Sequence, residues 1–310
     1  WKHNLTGDET LSYSVYISTD NLVIVKGKSN QKRIVVQSYS LLPLPEGAVI
    51  NGMVINEEIV REKLIQARSE GILPRKNVRL VFDRSSILIK MLRVPEMSHL
   101  QVLNFLENTF STASNVREKL LYDYTLIEME KTKGEGNLIL GTAIEKSFIE
   151  EYIRLFSGAG IKLSSISIAL NSIIQYQKTF NPGRRKTYIL LFITGENVFL
   201  VMFCNGYYNI SNRYRLNSKK GSPQSLMELN HILSSIIQFN KAQKENLDIE
   251  YVAISGLQNN ENYYYGELST LLNIKVIPLT AGPELVMSRE LTENMDNMMN
   301  NFIAIANLIE

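Results

Sequence analysis

The sequence predicts an α/β protein of two lobes, and three observations carry that expectation. Ile17-Ser18-Thr19-Asp20-Asn21-Leu22-Val23-Ile24-Val25 and Ile193-Thr194-Gly195-Glu196-Asn197-Val198-Phe199-Leu200-Val201 read as copies of one unit: an apolar strand, a tight polar turn and a second apolar strand. Short β-rich runs alternate with segments of helical period through both halves, the pattern of sheets covered by helices. A length of 310 residues suits two domains, each able to bury its own core.

Taken in order, residues 1–13 are expected to be a tag or disordered N-terminus, since Trp1 to Thr10 is polar and lacks an initiator methionine. Spans 14–25 and 32–38 are strands, dense in Val, Ile and Tyr and separated by Gly27-Lys28-Ser29-Asn30. Span 57–70 spaces Ile59, Leu64 and Ala67 for a helix that Gly71 stops. Strands at 77–81 and 86–94 follow. Pro95-Glu96-Met97-Ser98 then opens a helix carrying Leu100, Leu103, Phe105, Leu106 and Phe110. Strands at 122–129 and 137–144 flank a charged hairpin tip at 130–136. Span 145–157 is an amphipathic helix with Phe148, Ile149, Tyr152, Ile153 and Phe156 on one face, ended by Gly158.

A strand at 161–168 and a helix at 171–178 lead to Asn181-Pro182-Gly183-Arg184-Arg185-Lys186, the clearest break and the expected lobe boundary. The second half reads as strands 188–193 and 198–204, the Asn205-Gly206 turn and a strand at 207–214. A helix at 224–244, a strand at 249–255, a helix at 264–272 and a strand at 275–277 follow. The Met-rich span 290–308 is helical by pattern, its Met295, Met298, Met299 and Phe302 assigned to a core.

Composition narrows the function. At 45% hydrophobic and 21% charged the chain is globular rather than disordered. Thirty-three basic against 31 acidic residues, a formal charge of +2, argue against a nucleic-acid binder. Cys204 lies in an apolar run, as a buried structural thiol would, and one cysteine permits no internal disulfide, which fits a reducing compartment. No apolar run approaches the length of a bilayer span. His3, His99 and His231 are scattered without a ligand cluster, so no metal site is expected. No G-x-S-x-G elbow supports nucleophilic hydrolysis, and no catalytic residue is assigned. Arg184-Arg185-Lys186 and Lys219-Lys220 read as a basic partner surface or as solvated linkers. Tyr207, Tyr208, Tyr263, Tyr264 and Tyr265 read as an interface or as packing.

The order of these pieces resembles the PilM family of type IV pilus assembly proteins, relatives of FtsA in the actin-like superfamily. Leu44-Pro45-Glu46-Gly47 with Asn51-Gly52-Met53-Val54, the strand and helix pair over 78–110, Asp123-Tyr124, and 150–168 carry the resemblance, which runs over about 14–308. It implies an α/β actin-like (ribonuclease H-like) two-lobe fold with a small inserted α+β subdomain in the first lobe. The expected divisions are 14–76 with 146–180 for the first lobe, 77–145 for a strand-helix-strand-strand insert, and 187–310 for the second lobe.

The resemblance also implies that the two hairpin turns face each other across a nucleotide. Members with a working site carry Asp-x-Gly in both turns, carboxylates organising magnesium while glycine admits phosphate to backbone N–H groups. Laid on that pattern, Tyr16 and Ser18 replace the first Asp and Gly and Val23 a later Lys. Phe192 and Thr194 replace the second pair, and Ser167 and Ala169 stand for an acidic pair. Ser255-Gly256 keeps one glycine of the adenosine motif. The expected site, Tyr16, Ser18, Thr19, Asp20, Phe192, Thr194, Gly195, Glu196, Ser255 and Gly256, is thus degenerate: a pseudo-ATPase with no cofactor, the sequence speaking against ATP with magnesium. The competing reading is an active ATPase using Asp20 and Glu196 from the turns.

By the same resemblance the chain is a cytoplasmic scaffold at the inner face of the cytoplasmic membrane. It would dock the N-terminal tail of a PilN-like membrane protein and connect to assembly ATPases. Ile87, Ile89 and Met91 are the expected groove residues, since a sheet edge takes an extended peptide by strand addition. Leu103 and Leu106 are assigned to the insert's own core. Two further readings are the cytoplasmic domain of a GspL-like type II secretion protein, whose membrane segment does not appear before Ile309-Glu310, and an FtsA-like filament former, which lacks here a basic amphipathic C-terminal helix.

Overall fold

The computed structural model describes residues 11–111, 119–129, 134–181, 185–242 and 248–309. The expected N-terminal tag over 1–10, the hairpin tip at 130–133, the centre of the lobe break at 182–184 and the helix end at 243–244 lie outside the described residues. In chain order the elements are β1 (Ser12–Ile17), β2 (Asn21–Ser29), β3 (Ile34–Pro43), β4 (Val49–Ile50), β5 (Met53–Val54), α1 (Glu57–Ser69) and β6 (Val78–Phe82). Next come β7 (Leu88–Val94), α2 (His99–Ser111), β8 (Leu120–Glu128), β9 (Asn137–Glu145) and α3 (Lys146–Gly158). Then follow β10 (Leu163–Ile168), α4 (Ala169–Phe180), β11 (Tyr188–Thr194), β12 (Asn197–Cys204), β13 (Tyr207–Arg215), α5 (Pro223–Lys241), β14 (Tyr251–Ser255), α6 (Tyr263–Leu272) and β15 (Lys275–Pro278). The chain ends with β16 (Leu285–Met287), α7 (Arg289–Thr292), α8 (Met295–Met299) and α9 (Phe302–Ala306).

These elements form two compact units, Trp1–Asp83 with Leu163–Glu310, and Arg84–Lys162. The larger unit holds two sheets. One runs β10-β6-β1-β2-β3-β16 and the other β13-β12-β11-β14-β15. Leaving β16 aside, both read as one plan: three antiparallel strands in sequence, then two strands added in parallel beside the first. The hairpin repeat in the sequence is thus part of a repeat of the whole sheet.

Local chemistry accounts for the helices. Asn56 caps α1, its side chain accepting from the Ile59 N–H at 3.2 Å, with Glu57 and Glu58 in the first turn and Val60, Leu64 and Ala67 buried. Ser222 caps α5 through the Ser225 N–H, and Pro223 takes the first helical position, where no donor is lost. Leu229, Leu233, Ile236 and Ile237 of α5 join Tyr264 and Leu268 of α6 on the inward residues Ile189, Leu191 and Ile193 of β11.

The smaller unit is a three-stranded sheet, β7-β9-β8, with α2 on one face and α3 against β9. Val102, Leu106 and Phe110, spaced by four, form its core with Val94, Leu120, Ile139 and Ala143. Leu106 and Phe110 of the expected set lie in this core, whereas Leu100 is 67% exposed and Phe105 partly exposed. In α3, Phe148, Tyr152, Leu155 and Phe156 are buried while Ile153 is exposed.

Three expected boundaries are corrected. The insert does not begin at 77: β6 hydrogen-bonds on both sides within the six-stranded sheet and is buried along its whole length, so it belongs to the first lobe. Nor does it end at 145, because α3 belongs to the same unit as its sheet. The second lobe does not extend to 310: β16, a strand not foreseen, pairs with β3, and α9 packs on β1, β2 and α4. The span 290–308 is broken because its asparagines bond elsewhere. Asn300 binds Gly256 and Leu257, and Asn301 donates to Tyr39 at 2.9 Å.

The C-terminal segment is fastened by specific bonds. Arg79, buried in β6, donates to the Leu308 and Ile309 carbonyls at 3.3 and 2.7 Å, Ser29 donates to Leu308, and Asn307 donates to buried Ser14 at 3.0 Å. Ile305 is fully buried. Ile305→Ala is expected to cost about 2–5 kcal/mol in denaturant unfolding, against less than about 0.5 kcal/mol for Leu271→Ala on an exposed helix face.

Candidate functional site

The two hairpin turns meet. Ser18 closes the first turn, its N–H and its hydroxyl donating to the Asn21 carbonyl at 3.0 and 2.9 Å while the hydroxyl accepts from the Asn21 N–H. Gly195, at φ +55°, allows the two-residue turn between paired Thr194 and Asn197. The turns are held alike: the Leu44 N–H, just past β3, donates to the Asp20 carbonyl, and the Leu216 N–H, just past β13, donates to the Glu196 carbonyl, both at 2.8 Å. Asp20 and Glu196 are therefore equivalent positions of the repeat.

Side chains cross directly from one turn to the other. Asn197 Nδ2 donates to Thr19 Oγ1 at 3.2 Å, and a side chain at Gly195 would start 3.8 Å from the Asp20 carboxylate. Tyr16 is buried; that burial, then the nearby Asp83 carboxylate, push its hydroxyl far above the tyrosine range, with the Thr194 side chain acting in the opposite sense, so it is neutral. Ser167, on β10, accepts from Asn171 at 3.3 Å.

Sequence reading missed the strongest pair at the cleft. Asp83, the residue after β6, receives Arg213 of β13, with Nε at 2.9 Å and a second bond from the other guanidinium nitrogen. Arg213 lies 4.4 Å over the ring of its cross-strand neighbour Phe199, which fixes its aim. A carboxylate directly after the apolar run Leu80-Val81-Phe82, at the carboxyl end of a parallel strand, is the signal that could have found Asp83.

At the third expected place the C-terminal segment intervenes. Ser255 donates to the Met299 carbonyl and the Gly256 N–H to Asn300 Oδ1, both at 2.8 Å. Lys220 donates to the Gly256 carbonyl and pairs at 3.1 Å with buried Glu261. Gly256 sits at φ +103°, where a Cβ would fall 1.9 Å from the Ile193 carbonyl oxygen. Phe192 is 5% exposed and stacks on Phe302 with ring centres 6.3 Å apart. The expected residues are thus brought together around one cleft, with Phe192 committed to the core and the polar groups named here bonded within the chain.

The expected peptide residues lie in the smaller unit. β7 is an edge strand, bonded within its sheet only to β9. Leu88, Leu92 and Val94 face α2, so Ile87, Ile89 and Met91 point to the opposite face. Met91 is 37% exposed and Ile89 half-buried, whereas Ile87 is buried at 6%. Leu106 is fully buried in the core under α2. Among the described residues, no group of three or more His, Cys, Asp or Glu stands at metal-binding separation, and no helix is long and apolar enough to cross a membrane.

No protein-family model matches the chain, and no curated protein matches it. Solved structures do. The chain is similar to one in a PilM–PilN type IV pilus biogenesis complex, with a TM-score of 0.80 and 14% identity over 97% of this chain and 98% of that one. A Bacteroides thetaiotaomicron protein with an actin-like ATPase fold and unknown function gives a TM-score of 0.55 at 11% identity, covering 99% of each chain. The ethanolamine utilization protein EutJ from Carboxydothermus hydrogenoformans gives 0.53 at 11% identity, over 98% of this chain and 91% of that one. The fold is the actin-like fold expected from the sequence.

The cleft makes a testable statement about pH. Burial, followed by repulsion from Glu196, raises the Asp20 carboxyl above its ordinary value of 3.8; Lys220 acts in the opposite sense and Glu46 with Glu196. The native state thus holds this proton more tightly than the unfolded chain, and stability falls as pH rises from the ordinary value through the raised one. Asp20→Asn is expected to raise the melting temperature at pH 7 and to lose that advantage below pH 3.8. A lower melting temperature at pH 7 would contradict this.

Proposed function

We propose that this chain is a PilM-like scaffold that docks the N-terminal tail of a PilN-like membrane protein and carries no ATPase activity. The observation that carries the reading is the likeness to the PilM–PilN complex, which extends over nearly the full length of both chains. The cleft supports its second half. Neither turn offers the Asp-x-Gly on which metal and phosphate would depend, Asn197 of one turn is bonded to Thr19 of the other, and the Gly256 N–H is taken by Asn300. In this reading the protein works at the cytoplasmic face of the membrane through its partners, the assembly ATPases among them.

The peptide contact is assigned to β7 through Ile89 and Met91, whose side chains share a face of an edge strand; buried Ile87 supports that strand from within. Isothermal titration with a synthetic PilN-type N-terminal peptide is expected to show saturable binding. Ile89→Asp should weaken it about tenfold or more by placing a charge in an apolar contact, with the melting curve showing the variant folded. Unchanged affinity in a folded variant would remove β7 from the contact.

Titration of ATP with magnesium is expected to give neither micromolar affinity nor a melting shift of several degrees. Micromolar binding would replace this part of the reading with an active site built on Asp20 and Glu196, the one pair of carboxylates at equivalent positions of the two turns.

A further inference from the structure

We propose that the two sheets of the larger unit are latched to each other at the hairpin turns by Arg213–Asp83 and Asn197–Thr19, so that the closed arrangement requires no bound ligand. The inference goes beyond the reading of the site as one without nucleotide and stands on these contacts.

Both contacts join the same two sheets. Asp83 and Thr19 belong to the connections of the first sheet, and Arg213 and Asn197 to strands of the second. The chain itself crosses between the sheets between α4 and β11 and again between β15 and β16.

Arg213 has the main part. Both members of its pair are less than one-fifth exposed, so the interaction is screened less than one on open surface. Two guanidinium nitrogens engage one carboxylate oxygen, and the Phe199 ring holds the guanidinium in place. Asn197 adds a neutral bond to Thr19 of the other turn. Together they give a two-position element, shut when the pair is made and open when it is not.

Hydrogen–deuterium exchange on the full-length protein tests this. Arg213→Gln and Asp83→Asn are each expected to speed exchange at residues 16–22 and 193–198 by about tenfold or more, leaving α1 and α5 protected as in the wild type. Thr19→Val, which removes only a hydroxyl, should move the same segments in the same direction, and it carries the test if an ion-pair variant does not fold. Raising sodium chloride to 1 M should loosen these segments in the wild type but not in Arg213→Gln. Unchanged exchange at both turns overturns the proposal, as does a rise shared equally by α1 and α5, which would mark a loss of global stability. A separate ATP titration distinguishes the two ideas: nucleotide binding with the latch behaviour intact would sink the pseudo-ATPase reading and leave the latch.

Discussion

Arg79 sits in the middle of a buried parallel strand, and a guanidinium in that position has to find acceptors inside the protein. It finds them at the other end of the chain, in the carbonyls of Leu308 and Ile309 just past α9. This bond draws the C-terminal segment back over the first sheet, and much of the interior follows from it. α9 covers β1 and β2, Asn307 satisfies buried Ser14, and Phe302 reaches both Tyr176 of α4 and Phe192 of the second sheet. The segment leading into α9 brings Asn300 to the N–H of Gly256. One buried charge thereby helps to set the base of the cleft and the position of one of its walls.

On that frame two copies of one hairpin are held by the same backbone bond, Leu44 to Asp20 and Leu216 to Glu196. The polar groups on and beside them bond within the chain: the Ser18 hydroxyl closes its own turn, Asn197 donates to Thr19 of the other turn, and the Gly256 N–H is taken by Asn300. Polar groups that face each other between the two turns satisfy one another.

The parts legible in the sequence were those governed by local pattern. Strand alternation and turn chemistry marked β1, β2, β11 and β12, and apolar spacing with the Gly71 stop marked α1. The resemblance placed Tyr16, Ser18, Thr194 and Gly256 in one expected site, and the structure joins the two turns through Asn197 and Thr19. What escaped depended on distant partners. β16 is three residues long and is a strand only because β3 offers an edge. The Met-rich span has helical spacing, but its asparagines are drawn to Gly256 and Tyr39 and break it into short turns. In α2, Leu106 and Phe110 were foreseen and Val102 was not, because Leu100 and Phe105 are as apolar as the residues the core takes, and only packing tells them apart.

Sequence alone determined the duplication and the strand and helix order, because each is written in short-range spacing and side-chain chemistry. Tertiary structure decided which sheet the C-terminus joins, where the inserted unit begins, and that Arg213 answers Asp83 from 130 residues away. Those outcomes turn on which buried polar groups and strand edges find partners, and a partner far along the chain leaves no periodic trace in either segment.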